Sequence, residues 1–219
     1  MTQPGLSTSS RYDSLAEVLS AIRSLTDDPL AGAGTNIVIS RGSPEAKLLL
    51  VGEAPGPQEN IKGKPFVGPA GQLLDKILQA ADFDPETDVY ITNSVFRMPP
   101  GENGANFRKP NDKEIEYYRP FVFEIIRLMN PLVILLTGNV ACQSVLQKTG
   151  ITSLRGKWTE LDGRWLMPIF HPSYLLRNQS REPGSPKSLM WEDIREVRRK
   201  LDELNAPTGL KTQTTEPGR

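Results

Sequence analysis

The sequence predicts an α/β fold: a single three-layer α/β/α domain around a mostly parallel sheet of about four strands. Short apolar runs bounded by glycine or proline alternate with amphipathic helical patterns, which is typical of parallel sheets. Residues 132–137 read Leu-Val-Ile-Leu-Leu-Thr, apolar enough for a central strand buried on both faces. With 219 residues, 37% of them hydrophobic, the chain has the length and composition of one globular domain.

The other elements follow from the same periodicities. Residues 12–26 carry apolar side chains at helical spacing and predict a first helix, and residues 36–39 predict an edge strand. The remaining strands are predicted at residues 47–52 and 89–92, with a hairpin over 158–170. The remaining helices are predicted to start near Gln72 and Asn111, after Gly138, and near Met190.

The globular part is predicted to cover residues 11–205. Residues 1–10 are rich in Ser, Thr, Gly and Pro, which is typical of a flexible terminus. Residues 206–219 contain Leu210 as their one large apolar residue, so we expect a disordered tail.

Charge and cysteine content limit the function classes. There are 26 basic and 26 acidic residues, so any nucleic-acid surface must come from locally clustered positive charge. A single cysteine, Cys142, can form neither an intrachain disulfide nor a four-cysteine metal cluster. No apolar run approaches the ~20 residues of a membrane span, and the N-terminus does not resemble a signal peptide. We therefore expect a cytoplasmic protein without membrane contact.

A glycine-rich loop follows the predicted strand 47–52. Residues 52–56 read Gly-Glu-Ala-Pro-Gly, and further glycines follow up to Gly71, where a helix begins. Backbone N–H groups at a helix N-terminus can bind an anion, although a tight turn that needs glycine for positive φ explains the pattern equally well. Since parallel strands end at one sheet edge, Glu53, Asn93, Gly138 and His171 are expected to lie together there.

Five motifs in matching order resemble the uracil-DNA glycosylase superfamily, and within it family 4. They are residues 52–56 (Gly-Glu-Ala-Pro-Gly), 63–68 (Gly-Lys-Pro-Phe-Val-Gly), 71–74 (Gly-Gln-Leu-Leu), 92–93 (Thr-Asn) and 171–173 (His-Pro-Ser). The similarity extends over about residues 36–204. It implies a protein that flips uracil out of DNA and hydrolyses its glycosidic bond.

The chain departs from the family at the cofactor. The resemblance implies a 4Fe–4S cluster on four cysteines, but the matching positions hold the segment 25–29, Arg97 and Tyr118, with no cysteine among them. We therefore predict that the cluster is absent, that no metal is bound, and that Arg97, Tyr118 and packing of the first helix fill its place.

The resemblance also implies the roles of several pocket residues. Asn93 would read uracil, because an amide matches its N3–H and O4 and rejects cytosine; otherwise it is an ordinary turn residue. Phe66 would stack on the base, unless it merely anchors its loop in the core. His171, the only histidine, would donate to uracil O2 in its neutral form, or else be purely structural.

Two carboxylates are candidates for the reaction and for base selection. Glu53 is a candidate for stabilising the sugar cation and orienting the water. Ala54 lies where the best-known branch of the superfamily has an Asp, and it is expected to line the base pocket. Glu59 either lines the pocket near uracil C5 and excludes thymine, or is a solvated loop residue.

DNA contact is expected on both sides of this pocket. Tyr174, Leu175 or Leu176 would enter the minor groove as a wedge, with the alternative that the leucines are core residues. Basic and backbone groups would bind phosphates. These further candidates are Lys62, Lys64, Gly68, Gln72, Ser173 and Arg177.

The leading interpretation is a monomeric uracil-DNA glycosylase of base-excision repair, without a cofactor, acting on single- or double-stranded DNA. Three alternatives stay open: a changed preference for hypoxanthine or mismatched uracil, a protein that binds uracil DNA with weak or no excision, and a nucleotide-binding α/β protein. The last is disfavoured because residues 52–56 lack both P-loop and dinucleotide-fingerprint spacing.

Overall fold

A computed structural model of the protein describes residues 12–101 and 107–206. Six strands form one sheet in the order β1-β3-β2-β4-β6-β5. The strands are β1 (Ser40–Gly42), β2 (Leu48–Gly52), β3 (Val89–Asn93), β4 (Val133–Thr137), β5 (Thr159–Leu161) and β6 (Arg164–Ile169). The helices are α1 (Leu15–Arg23), α2 (Pro57–Lys62), α3 (Pro69–Ala80), α4 (Asp112–Met129), α5 (Gly138–Leu146), α6 (Ile151–Leu154), α7 (Pro172–Arg177) and α8 (Pro186–Asn205).

The predicted fold class is confirmed, and the strand count is larger than predicted. Strands β3, β2, β4 and β6 are mutually parallel, as expected for the core of the sheet. Two short antiparallel strands, β1 and β5, extend it to six. The predicted edge strand at 36–39 is displaced: the paired segment is β1, and Val38 makes a single backbone hydrogen bond, to Phe96 O at 2.8 Å.

Alternate residues of each central strand enter two different cores. In β2, Leu49 and Val51 pack with α1, α4 and α5, whereas Leu48 and Leu50 pack with α3, α7 and α8. Since successive side chains of a strand point to opposite faces, this places a helical layer on each side of the sheet. The result is the three-layer α/β/α arrangement.

N-capping residues mark where the two longest helices, α4 and α8, begin. Asn111 caps α4 through a capping box with Glu114, and Ser185 caps α8 by accepting from the N–H of Ser188. Among the described residues, no helix is long and apolar enough to cross a membrane. The expected flexible segment 1–10 lies outside the described residues, as does the expected tail beyond Ala206, so the predicted domain limits stay predictions.

Candidate active site

The four parallel strands end at one edge of the sheet, and a cleft of about 770 Å³ opens there. Glu53, Asn93, Gly138 and His171 all line it, although the first and the last are more than a hundred residues apart. The parallel topology brings these residues together because each follows or ends a strand that runs toward this edge.

Buried hydroxyl and amide groups hold the end of β2 in place. Thr137 Oγ1 donates to Val51 O at 2.9 Å. Ser94 donates twice to Gly52 O, from its N–H at 3.0 Å and from Oγ at 2.7 Å, and Val95 N donates to Glu53 O at 3.1 Å. Since the donor residues Thr137, Ser94 and Val95 are all buried, the start of the glycine-rich loop is fixed relative to β3 and β4.

Asn93 and Phe66 meet over Gly52. A Cβ atom at Gly52 would lie 2.4 Å from Asn93 Oδ1 and 2.5 Å from Phe66 Cε2, so only glycine allows both side chains this close. The Phe66 ring lies 5.9 Å from the His171 ring, centroid to centroid, with 30° between their planes. Amide, phenyl ring and imidazole therefore surround one small space.

The tautomer of His171 follows from its neighbour. Ser173 N, which can only donate, lies 3.2 Å from His171 Nδ1, and Ser173 Oγ lies 2.8 Å from the same nitrogen. Nδ1 is therefore an acceptor, and the proton of the neutral ring is on Nε2. The imidazole is a hydrogen-bond donor through Nε2.

Glu53 and His171, which both line the cleft, have pKa values shifted in opposite senses. Burial lowers the pKa of His171 to about 4, and the positive charges of Arg177 and Lys109 add to this effect. Burial also raises the pKa of Glu53, an effect that Lys109 partly offsets. In both cases the low-polarity surroundings disfavour the charged form. His171 is thus neutral near pH 7.

Glu59 holds the loop that carries Phe66. Its Oε1 accepts from Val67 N at 2.8 Å and from Gly68 N at 2.6 Å. Glu59 lines the cleft, as one of its predicted roles requires, but it is not a solvated loop carboxylate. Its carboxylate is engaged with the two N–H groups at the start of α3, where a negative charge is favourable.

Comparison with known proteins identifies the family. The model of the uracil DNA glycosylase superfamily matches residues 39–195. This chain belongs to the uracil DNA glycosylase superfamily. A type-4 uracil-DNA glycosylase of Thermotoga maritima is 36% identical over 190 residues, which are 85% of this chain and 94% of that protein. A type-4 uracil-DNA glycosylase of Archaeoglobus fulgidus is 35% identical over 78% of this chain and 87% of its own.

A viral protein also contains a related segment. A DNA polymerase of Bacillus phage SP01 is 31% identical over 163 residues, which are 74% of this chain but 16% of the polymerase. A segment similar to this member of the superfamily therefore occurs inside a much longer protein.

The DNA-contact candidates divide into two groups. Gly68, Ser173, Tyr174 and Arg177 line the cleft, and Tyr174 is 38% exposed. Ala54 lines it as well, as predicted for the base pocket. The candidates Lys62, Lys64 and Gln72 are exposed and lie outside this lining.

One wedge candidate is misplaced. Leu175 is fully buried among residues of α3 and α8, whereas Leu176 on the same helix is 38% exposed. The reason is helical periodicity: Pro172 and Leu175, three residues apart, lie on the buried face of α7, which packs against α3 and α8, and Leu176 lies off that face. Leu175 is a core residue, and Tyr174 and Leu176 keep the exposure that a wedge needs.

Three residues that line the cleft were not predicted as site residues from the sequence. Phe107, Arg108 and Lys109 end the long segment after β3, and all three line the cleft. Phe107 is 55% exposed, and Arg108 forms a two-pronged ion pair with Glu114, at 2.6 and 2.8 Å. An aromatic residue followed by two cations is a usable signal for nucleic-acid contact, but its spacing from Asn93 is set only by the fold.

The positions where the resemblance places the cluster cysteines do converge, and they hold a polar network. Arg97 Nε donates to Asp28 Oδ2 at 2.9 Å and Arg97 Nη2 to Leu25 O at 3.0 Å, and Tyr118 Oη donates to Asp28 Oδ1. Arg97 also contacts Thr35 O. Asp28 and Tyr118 are both buried.

This network does not fit an iron–sulfur cluster. Such a cluster needs thiolate ligands, and the chain's only cysteine, Cys142 of α5, is buried in the core that α5 shares with α4. Burial raises its pKa to about 12, so it stays a thiol. Among the described residues, no group of three His, Cys, Asp or Glu side chains is placed to hold a metal ion.

Proposed function

We propose that this protein is a uracil-DNA glycosylase, a base-excision repair enzyme that flips uracil out of DNA and hydrolyses its N-glycosidic bond. The observation that carries the proposal is the meeting of Asn93, Phe66 and His171 around one small space in the cleft. The relatives named type-4 uracil-DNA glycosylase, aligned over most of their lengths, support the same substrate.

Each of the three side chains meets a different part of the flipped base. The Asn93 amide is buried, so its orientation is restrained and its donor and acceptor can match O4 and N3–H of uracil. Cytosine presents the opposite pattern and leaves both groups unpaired, which is costly in a desolvated pocket. The Phe66 ring stacks against the base face.

The reaction separates two charges. The N1–C1′ bond breaks with its electron pair going to uracil, whose negative charge reaches O2, while positive charge develops on the sugar. His171 Nε2–H donates a hydrogen bond to O2. This bond stabilises the negative charge of the leaving base while the proton stays on the imidazole. Water adds its oxygen to C1′ and loses a proton, which Glu53 accepts. Glu53 then releases that proton to solvent and the uracil anion takes one up, so the products are free uracil and an abasic site.

Four accompanying properties belong to the proposal. The protein works without an iron–sulfur cluster, and the Asp28–Arg97–Tyr118 network at the positions of the family's cluster cysteines supports this. It acts on single- or double-stranded DNA as a monomer in the cytoplasm. Four irons per purified chain, by iron and acid-labile sulfide analysis, would refute the first of these, and light scattering tests the monomer.

The test is excision from labelled oligonucleotides in EDTA. The substrates carry uracil opposite A, opposite G or in a single strand, and parallel substrates carry hypoxanthine or thymine. We expect alkali-labile breaks at uracil and none at thymine. Asn93→Ala should abolish them, whereas Asn205→Ala, a matched change at the exposed end of α8, should not.

Two other results identify the alternatives. Breaks at hypoxanthine, or at uracil only opposite G, would indicate a changed base preference. Binding of uracil DNA without breaks would indicate a protein that recognises the lesion but does not excise it.

A further inference from the structure

We propose that Arg41 is a positioning residue of the base pocket, which holds the backbone of Pro65 and Phe66 so that the Phe66 ring stays beside His171. The inference deepens the proposed function and rests on it for its consequence in catalysis. Arg41 belongs to β1, opposite Ile91 of β3, and it is not among the residues that line the cleft.

The Arg41 side chain connects one strand to the loop and two acidic residues. It is 6% exposed. Nε donates to Pro65 O at 3.0 Å, and Nη2 lies at the longer distance of 3.5 Å from Phe66 O. Nη2 also pairs with Asp75 of α3, and Nη1 with Glu86 Oε1 at 3.0 Å.

Phe66 occupies a backbone conformation that needs such support. Its φ is +53°, in the left-handed region, which is unfavourable for a residue with a Cβ. Its carbonyl group lies so close to Gly71 that a Cβ there would be 1.9 Å from Phe66 O. The conformation therefore depends on contacts from outside the loop, and Arg41 supplies them from β1.

A lysine cannot replace this arginine. The guanidinium has five donors in a fixed plane, so it can reach a backbone carbonyl and two carboxylates at once. An ammonium group at the same place would retain the charge for Asp75 but lose the fixed geometry toward Pro65 O. Without that anchor the loop can relax, and the ring loses its place over the base.

The test compares Arg41→Lys with a matched control, Arg119→Lys. Arg119 also donates to two backbone carbonyls, Ser144 O at 2.8 Å and Gln143 O at 3.2 Å, and pairs with a carboxylate, Glu116, but it joins α4 to α5 away from the loop. Hydrogen exchange at the amides of Val67 and Gly68 should accelerate about 10-fold or more in Arg41→Lys and stay unchanged in Arg119→Lys. Unchanged exchange in Arg41→Lys would overturn the proposal, whether or not the protein excises uracil.

Catalysis supplies the second measurement. The single-turnover excision rate should fall about 10- to 100-fold in Arg41→Lys, because even a small displacement of the Phe66 ring from the base slows the reaction. In a Phe66→Ala background the same change should cost less than about 2-fold, since the ring through which Arg41 acts is gone. An equal loss in both backgrounds would show that Arg41 does not act through Phe66.

A milder variant covers the case in which Arg41→Lys does not fold. Asp75→Asn removes one counter-charge, and Asp75 is 32% exposed, so we expect the fold to tolerate the change. It should raise the exchange rates of Val67 and Gly68 in the same direction, and no change there would count against the proposal. If the wild-type protein excises no uracil, the proposed function fails while the exchange data still decide the role of Arg41.

Discussion

The main-chain N–H of Ser173 lies 3.2 Å from Nδ1 of His171, and this contact determines which ring nitrogen carries the proton. A backbone N–H can only donate, so Nδ1 accepts and Nε2 is protonated. Because Pro172 starts α7 directly after His171, the unpaired main-chain N–H of Ser173 in the first turn of that helix can donate to the imidazole. The His-Pro-Ser motif therefore orients one hydrogen-bond donor, the Nε2–H of His171.

The tautomer can be observed directly, because the chain has a single histidine. In ¹⁵N-histidine-labelled protein we expect the Nε2–H form and a titration midpoint near the pKa of about 4 that burial produces. Long-range ¹H–¹⁵N correlation spectra over pH 3–8 provide both readings. A dominant Nδ1–H form, or an ordinary midpoint near 6.5, would contradict the geometry.

The fall of the excision rate at low pH, the acid limb of its pH profile, should reflect protonation of Glu53. Glu53 must be ionised to accept a proton, and burial raises its pKa, so the rate should fall as pH decreases through a value above the usual 4.5. Lys109 opposes that shift. Lys109→Met should therefore move the acid limb to higher pH, while Lys113→Met, an exposed change on α4, should leave it in place.

Single-turnover rates at saturating enzyme measure this limb without interference from DNA affinity. Glu53→Gln should be slow, and its rate should not depend on pH above the His171 pKa of about 4. Full single-turnover cleavage by Glu53→Gln would remove Glu53 from the mechanism.

Asn93→Asp tests whether the Asn93 amide recognises uracil. A carboxylate accepts but does not donate, so it loses the match to uracil O4 and repels the negative charge of the departing base. We expect uracil excision to fall by about 10²-fold or more, and the preference for uracil over cytosine to shrink. Paired oligonucleotides that differ only in uracil or cytosine measure the preference, and an unchanged uracil rate would rule out Asn93 as the reader.

Phe66 carries a measurable conformational strain. The left-handed φ of +53° costs a residue with a Cβ about 1–2 kcal/mol, and glycine avoids this but loses about 0.5–1 kcal/mol of backbone entropy. Phe66→Gly should therefore be more stable than Phe66→Ala by about 0.5–1 kcal/mol in urea unfolding. Phe83 is buried without a left-handed backbone, so there the glycine variant should be the less stable of the two.

The network at the cluster positions should contribute to stability. Asp28→Ala leaves the Arg97 guanidinium without its carboxylate and should cost about 3–5 kcal/mol. Tyr118→Phe should cost about 1–2 kcal/mol, because Asp28 Oδ1 still accepts from Leu30 N at 3.0 Å. Glu116→Ala, which breaks the more exposed pair with Arg119, should cost about 1 kcal/mol or less. Equal unfolding free energies for the three variants would show that the network stabilises the protein no more than an exposed ion pair does.

Local patterns in the sequence determined the parallel core of the sheet and the chemistry available to the site. The apolar run 132–137 had to be a buried strand because its length and composition allow little else, and it became β4. The order of strands and helices was enough to predict that Glu53, Asn93, Gly138 and His171 meet at one edge, since parallel strands end together.

Tertiary structure alone decided how those residues are held. No periodicity or motif connects Arg41 to Phe66, because a hydrogen bond across 25 residues depends on packing of the whole domain. The family resemblance brought the segment 25–29 and Arg97 to one place, but it did not predict that Arg97 pairs with Asp28. The burial of Leu175 beside the exposed Leu176 likewise depends on how α7 packs against α3 and α8. Residue types provide the functional groups, whereas distances, burial and protonation arise only when distant segments share one core.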